Sequence, residues 1–152
     1  MATVQKTESE HCYVDIYTAY TTSELCLRVV SDSISAGFPS PAGDFIEQGI
    51  DLNKDLIEHP SSTFFARVKG RSMEKAGIND GAILVIDKSL TPRNRSIIVC
   101  FIDGEYTVKR FDLRKDHGYL LPENDNYEPI RISEENDFLI WGVVTWAINP
   151  CK

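Results

Sequence analysis

The chain has 152 residues, of which 42% are hydrophobic and 26% charged, and its formal net charge at pH 7 is −7. This length allows about one domain to bury a core without disulfides or a structural metal. No apolar run approaches the ~20 residues that span a bilayer, and the first residues lack the features of a secretory signal. We therefore expect a cytoplasmic protein with no membrane role.

The charge distribution and the spacing of cysteines and histidines argue against two further classes, sequence-specific DNA-binding proteins and metalloproteins. Residues 1–36 carry two basic and five acidic side chains, and residues 37–152 carry fourteen basic and eighteen acidic ones. Neither part has the basic stripe that neutralises phosphates, so we expect no direct sequence-specific DNA binding. The four cysteines and three histidines show no zinc-ligand spacing, and we predict neither a metal site nor a cofactor.

The N-terminal third divides into an arm, a linker and a short helix. Residues 1–30 are too apolar for a purely disordered tail and too few for a domain, which predicts an arm that packs on something else. A linker with Pro39 and Pro41 follows. The stretch IDLNKDLIEHP then predicts one short helix with Asp51 near its start and Pro60 as its stop.

From Thr63 onward the pattern changes to that of strands. Within SIIVCFIDGEYTVKRF, two apolar runs are joined by Asp103-Gly104, a dipeptide typical of a type I′ hairpin turn. Turn-forming residues separate the remaining candidate strands. We predict a compact, mainly β, mostly antiparallel domain with strands in STFFARVKG, GAILVID, SIIVCFI, EYTVKRF, GYLLPEN, EPIRIS and FLIWGVVTWAI.

Ser72 follows the first of these strands in VKGRSMEKAG. Gly70 lets the backbone turn sharply, so the hydroxyl is a candidate nucleophile beside N–H groups that bind an anion. A serine in such a turn is more often only a hydrogen-bonding turn residue, and a nucleophile needs a base. No histidine is an obvious partner, which disfavours a Ser-His-Asp triad without excluding it.

Lys109 is the alternative base. In EYTVKRF the side chains of Lys109 and Arg110 point to opposite faces of the strand, so one of these cations is directed inward if one face is covered. Burial lowers the pKa of a lysine from ~10.4 and makes its amine a base at neutral pH. The competing interpretation is a solvated edge strand whose two cations both extend into water.

These motifs carry a resemblance to a known family. GRSM with Ser72, and YTVKRF with Lys109 37 residues later, resemble the LexA/UmuD family of self-cleaving Ser-Lys peptidases, family S24. AGINDGAILVID, FIDGEYTVKRF and GFPSPAGDFIEQGIDLNKDLIEHPSSTFF are similar too, and the last resembles the UmuD-type members more closely than the LexA-type repressors. The likeness runs from about residue 37 to residue 144.

The resemblance implies a role for each matching residue. Ser72 corresponds to the nucleophile, Lys109 to the general base, and the bond between Ala36 and Gly37 to the site of self-cleavage. The backbone N–H groups of Arg71 and Ser72 correspond to the oxyanion hole. The chain would then divide into a regulatory arm, residues 1–36, and a peptidase and polymerase-interaction domain, residues 37–152.

The resemblance also implies a biological setting. UmuD-type members are homodimers whose self-cleavage is stimulated by a RecA filament on single-stranded DNA during the SOS response, and their shortened form joins a UmuC-like error-prone DNA polymerase in translesion synthesis. Three alternatives stay open: a non-enzymatic β-rich interaction module, a truncated LexA-like repressor peptidase domain and a signal-peptidase-like enzyme. The 36 residues before the cut are too few and too acidic for a credible helix-turn-helix domain.

Overall fold

The computed structural model describes residues 13–19, 26–29 and 48–151. Ten strands, one α-helix and two 3-10 turns are formed by these residues. The 3-10 turns are Pro60–Ser62 and Glu74–Ala76, and α1 is Leu52–Leu56. The strands are β1 Tyr13–Thr18, β2 Cys26–Val29, β3 Gln48–Asp51, β4 Thr63–Lys69, β5 Ile83–Asp87, β6 Ile97–Ile102, β7 Glu105–Leu113, β8 Gly118–Leu121, β9 Ile130–Ile132 and β10 Phe138–Ile148.

Eight strands form one sheet in the order β1-β4-β5-β10-β6-β7-β8-β9, and β2 pairs with β3 in a second sheet. Every strand pair is antiparallel. β1 also contacts β7, although four strands lie between them in the hydrogen-bonded order, so the sheet is curled. The prediction of a mainly antiparallel β domain with a short helix is confirmed.

Two apolar clusters pack against this sheet. The larger contains side chains from β1, β4, β5, β6 and β7, together with Met73 and Ile78 from the segment between β4 and β5. The smaller is built around Ile98, Cys100 and Leu120. Successive residues of β6 enter different clusters, because side chains along a strand alternate between its faces. Both faces of the central strands are therefore covered.

Two local predictions match the structure, but the predicted stop of the helix at Pro60 is wrong, since α1 ends at Leu56 and Pro60 begins a 3-10 turn. Asp51 caps α1, since its carboxylate accepts a hydrogen bond from the Asn53 N–H at 3.1 Å. Asp103 and Gly104 have φ angles of 49° and 95°, which is the left-handed backbone that the hairpin turn requires. None of the helices among the described residues has the length and apolar character to cross a bilayer.

The predicted arm falls partly within the described residues. β1 pairs with β4 through all six of its residues, and Val14 is buried in the larger apolar cluster. This part of the arm packs on the domain through strand pairing and through Val14. The linker with Ala36 and Gly37 lies outside the described residues.

Candidate active site

Ser72 lies in the turn that follows β4. The turn begins at Gly70, whose φ of 100° is a conformation that glycine adopts without steric cost, as the sequence predicts. The Gly70 N–H donates a hydrogen bond to Asp80 Oδ1 at 2.6 Å, which fixes the start of the turn. The Ser72 side chain is fully buried, whereas Arg71 is exposed and pairs with Glu74 at 3.5 Å.

Lys109 lies in β7, which is flanked by β6 and β8 and is therefore an interior strand. The lysine is only 5% exposed and the neighbouring Arg110 is partly buried, so the interpretation as a solvated edge strand is wrong. Thr107, Val108 and Lys109 are buried in succession because both faces of the sheet are covered here. One of the two adjacent cations is directed inward, as predicted.

The fold brings these two residues into contact. Lys109 Nζ donates a hydrogen bond to Ser72 Oγ at 2.9 Å. The same nitrogen also donates to Thr107 Oγ1 and to the Val108 carbonyl oxygen, each at 3.0 Å. Sequence reasoning missed Thr107, although its position two residues before Lys109 on the same strand face was a usable signal.

A second set of contacts holds the turn that carries Ser72 in place. Residues 123–125, which lie between β8 and β9, contact this turn, and we call this segment the clasp. The Glu123 N–H donates to the Ser72 carbonyl at 2.7 Å, and Asn124 Nδ2 donates to the Arg71 carbonyl at 2.8 Å. Asn124 is itself held, because its Oδ1 accepts from the Asn126 N–H at 3.0 Å.

The clasp also reaches the strand of the lysine. The Glu123 carboxylate binds Arg110 Nε, next to Lys109 in the chain. Glu123 therefore contacts Ser72 through its N–H, and through its carboxylate it contacts Arg110, the chain neighbour of Lys109. Sequence reasoning missed the clasp, since only the turn-forming character of this segment was visible.

His59, one of the three histidines of the chain, lies in a different arrangement. His59 Nδ1 is 2.6 Å from Asp87 Oδ2, and the His59 side chain is 43% exposed. The hydrogen bond to the carboxylate raises the pKa of His59 above 6.5. Burial alone raises the pKa of Asp87, but hydrogen bonds from Ser89, His59 and Ser62 outweigh it and lower the pKa to about 2.

Cys100 is the other buried nucleophilic side chain near the pair. It lies opposite Thr107 in the β6–β7 ladder. Burial raises the pKa of the Cys100 thiol to about 12, although Lys109 acts in the opposite direction. Since the thiolate is the reactive form of cysteine, the thiol is inert at neutral pH. Among residues 13–19, 26–29 and 48–151, no group of three or more histidine, cysteine or acidic side chains is arranged to hold a metal ion.

A buried serine in contact with a buried lysine, at a strand end in an antiparallel β domain, has the side-chain arrangement of a Ser-Lys peptidase. Comparison with known proteins points to the same class. Residues 28–145 match the model of the family described as Peptidase S24-like. The chain therefore belongs to this family, whose members are serine peptidases of the self-cleaving type.

The relatives include proteins of similar length and a longer repressor. The chain is 46% identical over 116 residues to Protein MucA of Salmonella typhimurium, covering 76% of this chain and 79% of MucA. It is 44% identical over 122 residues to Protein ImpA of Shigella flexneri, covering 80% of this chain and 83% of ImpA. For LexA repressor 1 of Geobacter sulfurreducens the identity is 38% over 124 residues, covering 81% of this chain and 61% of the repressor. The predicted resemblance to UmuD-type members of family S24 is confirmed.

Proposed function

We propose that the protein cleaves its own chain between Ala36 and Gly37, with Ser72 as the nucleophile and Lys109 as the general base. The observation that carries the proposal is the 2.9 Å contact between Lys109 Nζ and Ser72 Oγ at a buried position. A fully buried serine also favours a substrate that belongs to the protein itself over one that arrives from solution.

The surroundings of Lys109 suit a base. Burial disfavours the charged form of an amine, because the ammonium loses its hydration. In a neutral amine, the two N–H bonds can point to Thr107 Oγ1 and to the Val108 carbonyl oxygen, both at 3.0 Å. The nitrogen lone pair then faces Ser72, and the hydrogen bond reverses so that the serine hydroxyl donates.

The reaction then follows two stages. Lys109 takes the proton of Ser72, and Oγ attacks the carbonyl carbon of Ala36. The tetrahedral intermediate collapses as the bond to the Gly37 nitrogen breaks, and the Lys109 ammonium returns the proton to this leaving amine. Water, deprotonated by Lys109, hydrolyses the ester between Ala36 and Ser72. The products are residues 1–36 and residues 37–152.

The clasp supports one half of the oxyanion hole. In a trans peptide, the carbonyl and the following N–H point in opposite directions, and no peptide bond in the described part of the chain is cis. The Arg71 carbonyl points toward Asn124, so the Ser72 N–H points away from the clasp. This N–H, together with that of Arg71, would bind the negatively charged oxygen of the intermediate.

We further infer that the protein acts in the SOS response. The shortened form would serve as an accessory subunit of a UmuC-like error-prone DNA polymerase. Cleavage of a cytoplasmic homodimer would be stimulated by a RecA filament on single-stranded DNA. Support comes from the relatives, since the identity is 46% to MucA and 44% to ImpA but 38% to the LexA repressor. This favours the UmuD-type interpretation over a truncated repressor.

The proposal is tested by incubating the purified chain at mildly alkaline pH, with and without activated RecA filament, and measuring fragment masses. We expect fragments that end at Ala36 and begin at Gly37, and none from Ser72→Ala or Lys109→Ala. Ser62→Ala is the matched control, since Ser62 Oγ donates to Asp87 instead. An intact wild-type chain under both conditions would favour the non-enzymatic module, and processing of an added preprotein would favour the signal-peptidase-like enzyme.

A further inference from the structure

The strand β1 lies on the N-terminal side of the proposed cut, yet it belongs to the main sheet. Its six residues pair with β4, from Tyr13 opposite Lys69 to Thr18 opposite Phe64. The cut at residues 36 and 37 breaks one peptide bond but none of these backbone contacts. The segment is therefore attached to the domain both by the covalent chain and, independently, by the pairing of β1 with β4.

Side chains strengthen this second attachment. Val14 is only 8% exposed and belongs to the larger apolar cluster together with Ala66 and Val68 of β4. Ile16 packs against the same cluster, because residues two apart share one face of a strand. Asp15 and Thr18 are exposed. β1 is thus an amphipathic strand whose aliphatic face completes the core.

The position of β1 links it to the candidate active site. Tyr13 lies opposite Lys69, which immediately precedes Gly70 and the turn that carries Ser72. β1 also contacts β7, the strand that contains Lys109. At its other end, Tyr17 lines an apolar cavity of about 360 Å³ with residues of α1, β4, β5 and β10. Removal of β1 would therefore leave an open strand edge beside exposed apolar surface.

We propose that β1 occupies a strand-docking site along β4, and that release of the cut fragment opens this site to an extended segment of a partner protein. An unpaired edge with an apolar flank recruits another strand, because backbone hydrogen bonds give affinity and side-chain pockets give selectivity. β1 itself defines the occupant: an antiparallel strand with aliphatic side chains two residues apart, at the positions of Val14 and Ile16. The proposal rests on the proposed function only for the place of the cut.

Retention of the fragment is the first test. In a Ser72→Ala chain, residues 34–39 are replaced by the recognition sequence of a site-specific protease, so the cut does not depend on self-cleavage. We expect the N-terminal fragment to co-elute with residues 40–152 on size exclusion after cutting. Val14→Asp should release it, whereas Thr18→Asp, with the same charge at an exposed position of β1, should not. Free elution of the fragment without substitution would overturn the proposal.

Exchange of the occupant is the second test, and it does not require the Val14→Asp chain to fold. A fluorescent peptide with the sequence YVDIYTA, residues 13–19, is added in excess to the cut chain that retains Val14. We expect it to displace the fragment and to bind at least tenfold more weakly to the uncut Ser72→Ala chain. The same peptide with Val14→Asp should also bind at least tenfold more weakly to the cut chain.

Different results would overturn the docking site and the proposed self-cleavage. Equal peptide binding to cut and uncut chains, or no binding to either, would overturn the docking site. If the wild-type chain never cleaves itself but the protease-cut chain retains and exchanges the fragment, the docking site stands and the proposed self-cleavage falls.

Discussion

Lys109 and His59 are both basic side chains held by short polar contacts, but their partners differ in kind. Lys109 is buried and donates to two hydroxyl groups and one carbonyl oxygen. His59 is partly exposed and contacts the carboxylate of Asp87 at 2.6 Å. The carboxylate stabilises the protonated imidazole and raises the pKa of His59, whereas no carboxylate is among the hydrogen-bond partners described here for Lys109, and burial disfavours the charged form of an amine.

The serines near His59 show why residue types alone are insufficient. Ser62 and Ser89 donate to Asp87 Oδ1 at 3.2 Å and 2.6 Å, so these hydroxyls contact the carboxylate of the His59–Asp87 pair. The composition of this cluster matches that of a catalytic triad, but the described contacts join serine to acid rather than serine to base. A candidate nucleophile is identified by its contact with the base.

The largest expected effect comes from making the Lys109 position permanently cationic. Lys109→Arg keeps a long basic side chain, but guanidinium stays protonated and cannot act as a base. We expect self-cleavage to slow by at least about 10³-fold, measured as the rate at which the fragment beginning at Gly37 accumulates. Lys88→Arg is the matched control, since Lys88 lies over the Trp141 ring. A Lys109→Arg chain within tenfold of the wild-type rate would contradict a neutral-base role.

A smaller effect is expected from loosening the clasp. Asn124→Ala removes the donor to the Arg71 carbonyl, and a nucleophile displaced by about 1 Å loses ~10²-fold in rate. Asn126→Ala is the control, because Asn126 contributes its backbone N–H to the clasp. Both variants are assayed for cleavage rate and thermal stability. Equal losses of rate would show that the clasp does not position Ser72.

Removal of the second hydroxyl near Lys109 should have a weaker effect. Thr107→Val keeps the shape of this buried side chain but loses the acceptor for Nζ, which is worth about tenfold in rate. Thr107→Ser retains a hydroxyl and should recover most of the activity. The comparison uses single-turnover rates at several pH values. If the serine variant is as slow as the valine variant, packing rather than the hydrogen bond is responsible.

The His59–Asp87 pair should affect the stability of the fold but not the rate of self-cleavage. The raised pKa of His59 stabilises the fold fully below pH 6.5, and this contribution is lost as pH rises through the folded value. The lowered pKa of Asp87 stabilises the fold above pH 3.8, and this contribution is lost as pH falls toward about 2. The pair therefore stabilises the fold most between about pH 3.8 and pH 6.5.

His59→Gln tests this dependence. The difference in Tm between wild type and variant should be largest near pH 5 and should shrink above pH 8, while the cleavage rate stays within about twofold of wild type. A Tm difference that grows with rising pH would show that the imidazole is neutral in the folded protein.

The sequence predicted the local features of the fold because they depend on neighbouring residues. Alternation of side chains and the Asp103-Gly104 turn are short-range properties, and they placed the β6–β7 hairpin correctly. Burial of Thr107, Val108 and Lys109 in succession could not be predicted in this way. It depends on covering both faces of the sheet, which is a tertiary property.

The same distinction between short-range and tertiary features applies to the candidate site. Ser72 and Lys109 were found through their motifs, and the structure places them in contact. The clasp joins residues about 50 positions apart through backbone carbonyls, which have no sequence signature. The pairing of β1 with β4 was expected only as an arm that packs somewhere, since register between distant strands is not encoded in either strand alone.

The most direct test of the central claim is the pH dependence of single-turnover self-cleavage, followed by the mass of the fragment that begins at Gly37. If neutral Lys109 is the base, the rate should rise with pH while the ammonium loses its proton and should level off once the amine is neutral. The Ser72→Ala and Lys109→Arg chains should stay intact throughout. A rate that falls as the pH rises, or cleavage that persists in Lys109→Arg, would contradict it.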